Sequence, residues 1–274
     1  MNIRRPAISL ASCFSLCLIS FFNSAFNGLA TPPIYMLPIV TAGVVVSASE
    51  REFSRSFVYT FGVHLLSIIL AIAMVELPIY NLLGDLPGEL ASLVVIRNVL
   101  LYEIILAAPS SVIVLFFAGY VAERNPILMK TVRKISPAAL LFIALSFHQY
   151  SDWWNEVYAV KTLSVELIQA SYFNKTTSLE IELRLRLTTK SPKAVPVVYL
   201  RYYIYRDSRL VRQLSDNYPG HLKVTTQGVE TSKKILLPSG ITQDCFESGT
   251  CKTTVQVVIQ TRFGLSFIDY PLRV

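Results

Sequence analysis

The stretch "ALSFHQYSDWWNEVY", residues 144–158, divides the chain into two unlike parts. An apolar run ends in it among aromatic and polar residues, and the sequence on either side follows different rules. The 274 residues are 53% hydrophobic and only 16% charged, with a mean hydropathy of +0.49. Soluble domains carry about 25% charged residues, so much of this chain is expected in lipid. Residues 1–159 hold nine Lys/Arg against nine Asp/Glu, and residues 160–274 hold sixteen against nine. The whole net charge of +7 therefore falls in the second part.

Five apolar stretches lie in the first part, at residues 7–28, 33–48, 57–77, 99–121 and 137–154. A spanning helix needs about 20 mostly apolar residues. The third and fourth meet this outright, and Pro109 marks a kink in the fourth. The first has Arg4 and Arg5 before it and "GLA" after it, as a signal peptide would. Its apolar run exceeds the roughly 7–15 residues of a signal-peptide core, so a retained helix is expected. Cytoplasmic loops are enriched in Lys and Arg. With five spans and the N-terminus inside, Arg4, Arg5, Arg51, Arg55, Arg124, Lys130, Arg133 and Lys134 all fall inside, and the outer connections carry only Arg97, beside Glu76, Asp85 and Glu89. The C-terminal part then lies outside the cytoplasm. Tyr150, Trp153 and Trp154 are expected in the aromatic belt at the outer interface.

From residue 163 the period changes to two, the pattern of half-buried strands. In "SLEIELRLRL", residues 178–187, Leu179, Ile181, Leu183, Leu185 and Leu187 alternate with Glu180, Glu182, Arg184 and Arg186. Similar runs occur at 162–168, 197–206, 233–237, 254–263 and 265–270. Turn signals separate them at Asn174-Lys175, Ser191-Pro192, Arg206-Asp207-Ser208, Pro219-Gly220 and Pro238-Ser239-Gly240. Some seven short strands predict an all-β Ig-like antiparallel sandwich. The expected architecture is thus an α-helical multi-pass membrane bundle of about five transmembrane helices, residues 1–155, followed by an extracytoplasmic β-sandwich domain, residues 156–274. Cys245 and Cys251 bracket "FESGT" at a spacing that closes a small disulfide in an oxidising compartment. Asn174-Lys175-Thr176 is a glycosylation sequon in an expected turn.

The succession "SPKAVPV", "YLRYYIYRDSRLV" and "SKKILLP" resembles the WHy/LEA-2 sandwich domains over residues 163–238. Where that family carries an Asn-Pro-Asn bend, this sequence has Thr189-Lys190-Ser191-Pro192. The resemblance implies a non-catalytic domain.

The sequence holds no zinc-protease, paired-cysteine, nucleophile-elbow, P-loop or dinucleotide-binding motif. No enzyme activity, metal or cofactor is expected. Cys13 and Cys17 share a helical face with serines and read as small packing residues. His221 is expected exposed in a turn. His64 and His148 fall at different depths, which disfavours a shared haem. Glu76, Arg97, Glu103, His148 and Asp152 fall near one depth at the outer helix ends and form a candidate intramembrane polar site. A plainer expectation is an Arg97 ion pair with Glu76 or Glu103 over a docking surface. On the strand at 197–206, Tyr199, Arg201, Tyr203 and Tyr205 share one face, the composition of a contact surface.

Two roles follow. In the first, a non-catalytic multi-pass protein of the cell membrane presents its basic domain to another membrane or envelope protein. In the second, a transport or redox-complex subunit uses the polar site at its helix ends. Expected partners are membrane lipid and an anionic surface on such a protein, and not nucleic acid.

Overall fold

Prolines, one glycine and polar breaks set the helix boundaries in the first part of the chain. The computed structural model describes residues 4–50, 52–175, 178–206, 208–237, 253–261 and 266–273. The chain divides into two units, Met1–Trp154 and Asn155–Val274.

In the first unit, α1 (Arg4–Asn27) ends in two 3-10 turns, Gly28–Ala30 and Pro33–Tyr35, around the Thr31-Pro32 break. Helix α2 (Met36–Ser49) follows, then α3 (Phe53–Leu83) and α4 (Asp85–Tyr102). A single residue, Gly84 at φ +100°, separates α3 from α4. That is a backbone region glycine adopts without a Cβ penalty, which makes the connection a tight helical hairpin. A π turn, Glu103–Ala107, joins α4 to α5 (Ala108–Arg124). Helix α6 (Pro126–Ile135) has Pro at its first position and the Asn125 side chain as its cap, accepting from Leu128 N at 3.1 Å. A 3-10 turn, Ser136–Leu140, leads into α7 (Leu141–Lys161).

Three of these segments are long and apolar enough to cross a membrane: Ala7–Ala30, Phe53–Leu83 and Asp85–Arg124. Pro33–Ser49 is apolar but shorter. The outer surface of α3 and α5 supports membrane association, because Leu65, Leu66, Ile69, Ile113, Phe116 and Phe117 are all exposed. Interior positions are small or hydroxylated: Ser12, Cys13, Ser20 and Ser24 on α1 and Ala42 on α2 are buried, as close helix packing in lipid requires.

Three expectations need correction here. Residues 78–98, expected as an outer connection, are helical almost throughout, because their Leu, Val and Ile residues sustain α3 and α4 across the charges at Asp85, Glu89 and Arg97. The 31 and 40 residues of the two arms extend about 46 and about 60 Å at 1.5 Å per residue, past the roughly 30 Å of a hydrocarbon core. The fifth stretch, 137–154, does not join the long apolar set; its helix continues to Lys161 and carries Gln149, Asp152 and Glu156. Finally, Trp153 does not sit in a lipid-facing belt. It is buried, donates Nε1–H to the Val75 carbonyl at 3.0 Å, and meets Phe26 edge-on at 4.7 Å. Val75 lies in the turn before Pro78, whose missing N–H loosens the carbonyl ladder of α3.

The second unit is antiparallel throughout. Its strands are β1 (Ser164–Lys175), β2 (Ser178–Thr188), β3 (Val195–Arg206), β4 (Arg209–Val224), β5 (Val229–Leu236), β6 (Thr253–Thr261) and β7 (Ser266–Arg273). They form a three-stranded sheet ordered β1-β2-β5 and a four-stranded sheet ordered β4-β3-β6-β7. The alternation in β2 is as expected: Leu179, Ile181, Leu183, Leu185 and Leu187 are all buried. Val197, Leu200, Tyr202 and Ile204 of β3 and Val255, Val257 and Ile259 of β6 are buried too. Pro219-Gly220 makes no turn. It lies inside β4, where the register jumps between the Val197–Leu222 and Tyr199–Asn217 pairs, so the extra residues bulge within one long strand. His221 is exposed there, on a strand and not in a turn. The β4 and β5 edges of the two sheets meet: Lys233 pairs with Asp216, the Lys233 ammonium lies 5.9 Å from the Tyr202 ring centroid, and Arg212 donates to the Leu236 carbonyl.

Candidate functional site

The polar groups inside the helical unit converge on His64. It sits midway along α3 with a side chain only 1% exposed. Its Nδ1 lies 3.0 and 3.1 Å from the two Glu103 carboxylate oxygens. On its other side, Nε2 lies 3.4 Å from Ser111 Oγ. With a neutral ring, Nδ1–H donates to Glu103 and Ser111 O–H donates to Nε2. Phe21 and Phe61 flank the ring at 5.4 and 5.5 Å. The Glu103 side chain keeps 14% exposure.

Local sequence explains how Glu103 reaches this position. Pro109 cannot donate a helical hydrogen bond and its ring crowds the preceding turn. The chain absorbs this by opening a π turn, in which Ala108 N bonds to Glu103 O. Such turns recur at functional sites. Here the turn carries Glu103 at its start and leads into Ser111, so two of the three groups come from one irregular segment.

Of the residues expected to cluster, the structure brings none of Glu76, Arg97, His148 or Asp152 to Glu103. Glu76 is twelve residues along α3 from His64, about 18 Å, and its buried Oε1 has no hydrogen-bond partner among the described residues. Arg97 is exposed and bonds the neighbouring Asn98 Oδ1 at 3.4 Å, so its expected ion pair with Glu76 or Glu103 is replaced by a local contact. His148 and Asp152 lie one turn apart on an exposed side of α7. The partner of Glu103 is instead His64. An isolated polar residue deep in an apolar run, together with a glutamate six positions before a proline, was the available signal.

Chemically, carboxylate, imidazole and hydroxyl in this order make the nucleophile relay of hydrolases. Ser111, however, is fully buried within continuous helix. Helical N–H groups are engaged along the axis and do not converge on its hydroxyl as an oxyanion hole must. The chain of groups suits holding and passing a proton. Among the described residues, no group of three or more His, Cys, Asp or Glu is placed to hold a metal ion.

In the β unit, Tyr199, Arg201, Tyr203 and Tyr205 are all half-buried while Leu200, Tyr202 and Ile204 between them are buried. The Arg201 guanidinium lies 5.8 Å from the Tyr199 ring centroid. Their cross-strand neighbours are polar on one side: Asn217, Ser215 and Gln213 of β4 face Tyr199, Arg201 and Tyr203. On β6 they are Gln260, Val258 and Gln256. On the buried side, the Tyr202 phenol has its pKa pushed up, first by burial and then by the nearby Asp216 carboxylate. Cys245 and Cys251 lie outside the described residues. Asn174 pairs with Leu179 through its backbone in β1, whereas its side chain and Thr176 lie outside the described residues. No family model and no curated protein matches the sequence.

Proposed function

We propose that this protein is a non-catalytic multi-pass membrane protein that displays a basic Ig-like sandwich outside the cytoplasm and binds an acidic membrane or envelope protein through it. The observation that carries this is the Tyr199–Arg201–Tyr203–Tyr205 row. Four large side chains line one half-exposed face of a central strand, with mostly amides and hydroxyls as neighbours beside Val258 and Leu210. Tyr and Arg are enriched in protein interfaces, and the excess of sixteen basic over nine acidic residues in 160–274 favours an acidic partner. The three-plus-four strand arrangement supports a sandwich of the kind the WHy/LEA-2 resemblance implies. With five crossings, the placement of Lys and Arg supports an inside N-terminus and an outside domain.

The test is variant-dependent cross-linking in the native membrane. Arg201→Glu and Tyr203→Ala should each lower recovery of the cross-linked partner about tenfold or more, as interface hot spots do, while Glu103→Gln leaves it unchanged. Recovery that follows Glu103→Gln and ignores Arg201→Glu would reverse the assignment. The second role, a transport or redox-complex subunit, is favoured by one observation only, the His64–Glu103–Ser111 chain.

A further inference from the structure

We propose that His64 and Glu103 form a proton-binding site inside the membrane, loaded from a cavity at the basic end of the helical unit along a row of hydroxyls on α3. The inference shares with the proposed function only the membrane-crossing helices, and is independent of what the sheet face binds.

The cavity measures about 690 Å³ and is lined by Ser56 and Leu115 together with the exposed Glu123, Lys130 and Arg133. Water therefore reaches Ser56. From there, Ser56, Thr60 and His64 follow at successive turns of one helix face, and all three are buried at 3%, 1% and 1%. Each step rises about 6 Å, a gap that one bridging water closes. Leu115 of the cavity wall stands one turn from Ser111, whose hydroxyl lies 3.4 Å from His64 Nε2, the ring atom that takes the proton.

The second observation is Thr60. A threonine within a helix normally returns its hydroxyl to a carbonyl one turn back. Thr60 Oγ1 is buried and has no hydrogen-bond partner among the described residues, whereas Ser12, Ser15 and Ser146 on other helices all make that bond. An unpaired hydroxyl in an apolar interior is costly. It points to a water between Ser56 and His64. Ser56 itself donates to the Glu50 carbonyl at 3.4 Å, a long bond that a water can exchange with.

A hydronium ion in the cavity hands a proton to the water beside Thr60 and is left as water. The Thr60 hydroxyl accepts one proton and releases its own toward His64. The imidazole takes a proton on Nε2 and yields the one on Nδ1 to the Glu103 carboxylate. The net result is one proton moved from hydronium in the cavity to Glu103, with the hydroxyl regenerated and His64 left as its Nε2–H tautomer, which donates to Ser111 Oγ and accepts from the Glu103 acid at Nδ1. Among the described residues, the titratable groups near Glu103 are His64 of α3, Cys17 of α1 and its own neighbour Tyr102, with no lysine or arginine among them. Among the described residues a charged Glu103 is hydrogen-bonded by His64 and has no cation beside it, so uptake of a proton by the pair is the way this site loses its negative charge.

The experiment uses the full-length protein in lipid nanodiscs, jumped from about pH 9 to about pH 3, a range that brackets the ordinary values of both side-chain types, about 4.3 and about 6.5. Infrared absorbance follows loss of carboxylate. Wild type should show fast uptake of one proton in a band that Glu103→Gln removes. Thr60→Val, which keeps the shape and loses the hydroxyl, should reach the same amplitude at least about tenfold more slowly, and Thr60→Ser should restore the rate. A wild-type rate in Thr60→Val overturns the hydroxyl route. Absence of any band removed by Glu103→Gln overturns the site. If Glu103→Gln does not fold, isotope-labelled histidine reports the same proton on the ring of His64, with His148→Gln and His221→Gln removing the two exposed rings from the spectrum; a His64 ring unchanged over the range also overturns the site.

Discussion

Removing the Lys233–Asp216 pair tests how the two sheets of the second unit meet. The pair joins β5 of one sheet to β4 of the other, with side chains 25% and 20% exposed, and Lys233 also lies over the Tyr202 ring. Exposed ion pairs contribute about 0.2–1 kcal/mol, and breaking a buried pair costs about 3–5 kcal/mol. A pair three-quarters or more buried falls between, and a double-mutant cycle of Asp216→Asn and Lys233→Met should give a coupling of about 1–2 kcal/mol. Each single variant should destabilise more than the double, because each leaves one partly buried polar group without its partner. The assay is guanidinium unfolding of the full-length protein followed through the far-ultraviolet strand signal. Coupling below about 0.3 kcal/mol, the scatter expected of independent sites, would mean that β4 and β5 do not close the domain along this edge.

Three further outcomes follow from other contacts. Tyr202 has a raised pKa in the folded domain. The unfolded chain then loses this proton first, near pH 10, so stability should fall by about 1.4 kcal/mol per pH unit above that value, and Tyr202→Phe should abolish that slope in an alkaline titration. Trp153→Phe keeps the ring against Phe26 but removes the donor to Val75 O; it should cost about 1 kcal/mol, read as a lower melting temperature in detergent. At Gly88, a Cβ would come within 2.5 Å of Tyr80 ring atoms, so Gly88→Ala should destabilise the α3–α4 hairpin by about 1–3 kcal/mol, and Tyr80→Ala in the same chain should recover part of the loss.

Much of the second unit was legible because period two leaves little freedom. Once Leu179 faces inward, Ile181, Leu183, Leu185 and Leu187 must follow, and they do. The same alternation placed Tyr199, Arg201, Tyr203 and Tyr205 on one face. Pro219-Gly220 misled because turn chemistry and bulge chemistry use the same residues, and only pairing to Val197 and Tyr199 distinguishes them. In the helical unit, hydropathy located the apolar lengths but not their rotation. It could not show that Trp153 faces α3, or that Glu103 meets His64. The helix boundary was the source of the second error. Starting the fourth segment at residue 99 put Glu103 near its end, whereas the helix begins at Asp85 and places Glu103 in its interior. The π turn then rotates Glu103 toward His64, a change that Pro109 foreshadows but does not specify.

The account rests most heavily on the sidedness of the second unit, and labelling with an impermeant thiol reagent in intact cells measures it. Arg209→Cys on β4 and Lys130→Cys on α6, both exposed positions, are introduced separately with Cys245 and Cys251 replaced by serine; Cys13 and Cys17 are buried. Labelling of Arg209→Cys in intact cells, with Lys130→Cys labelled only after the membrane is opened, is the predicted result. The reverse pattern would put the basic domain in the cytoplasm and contradict the account.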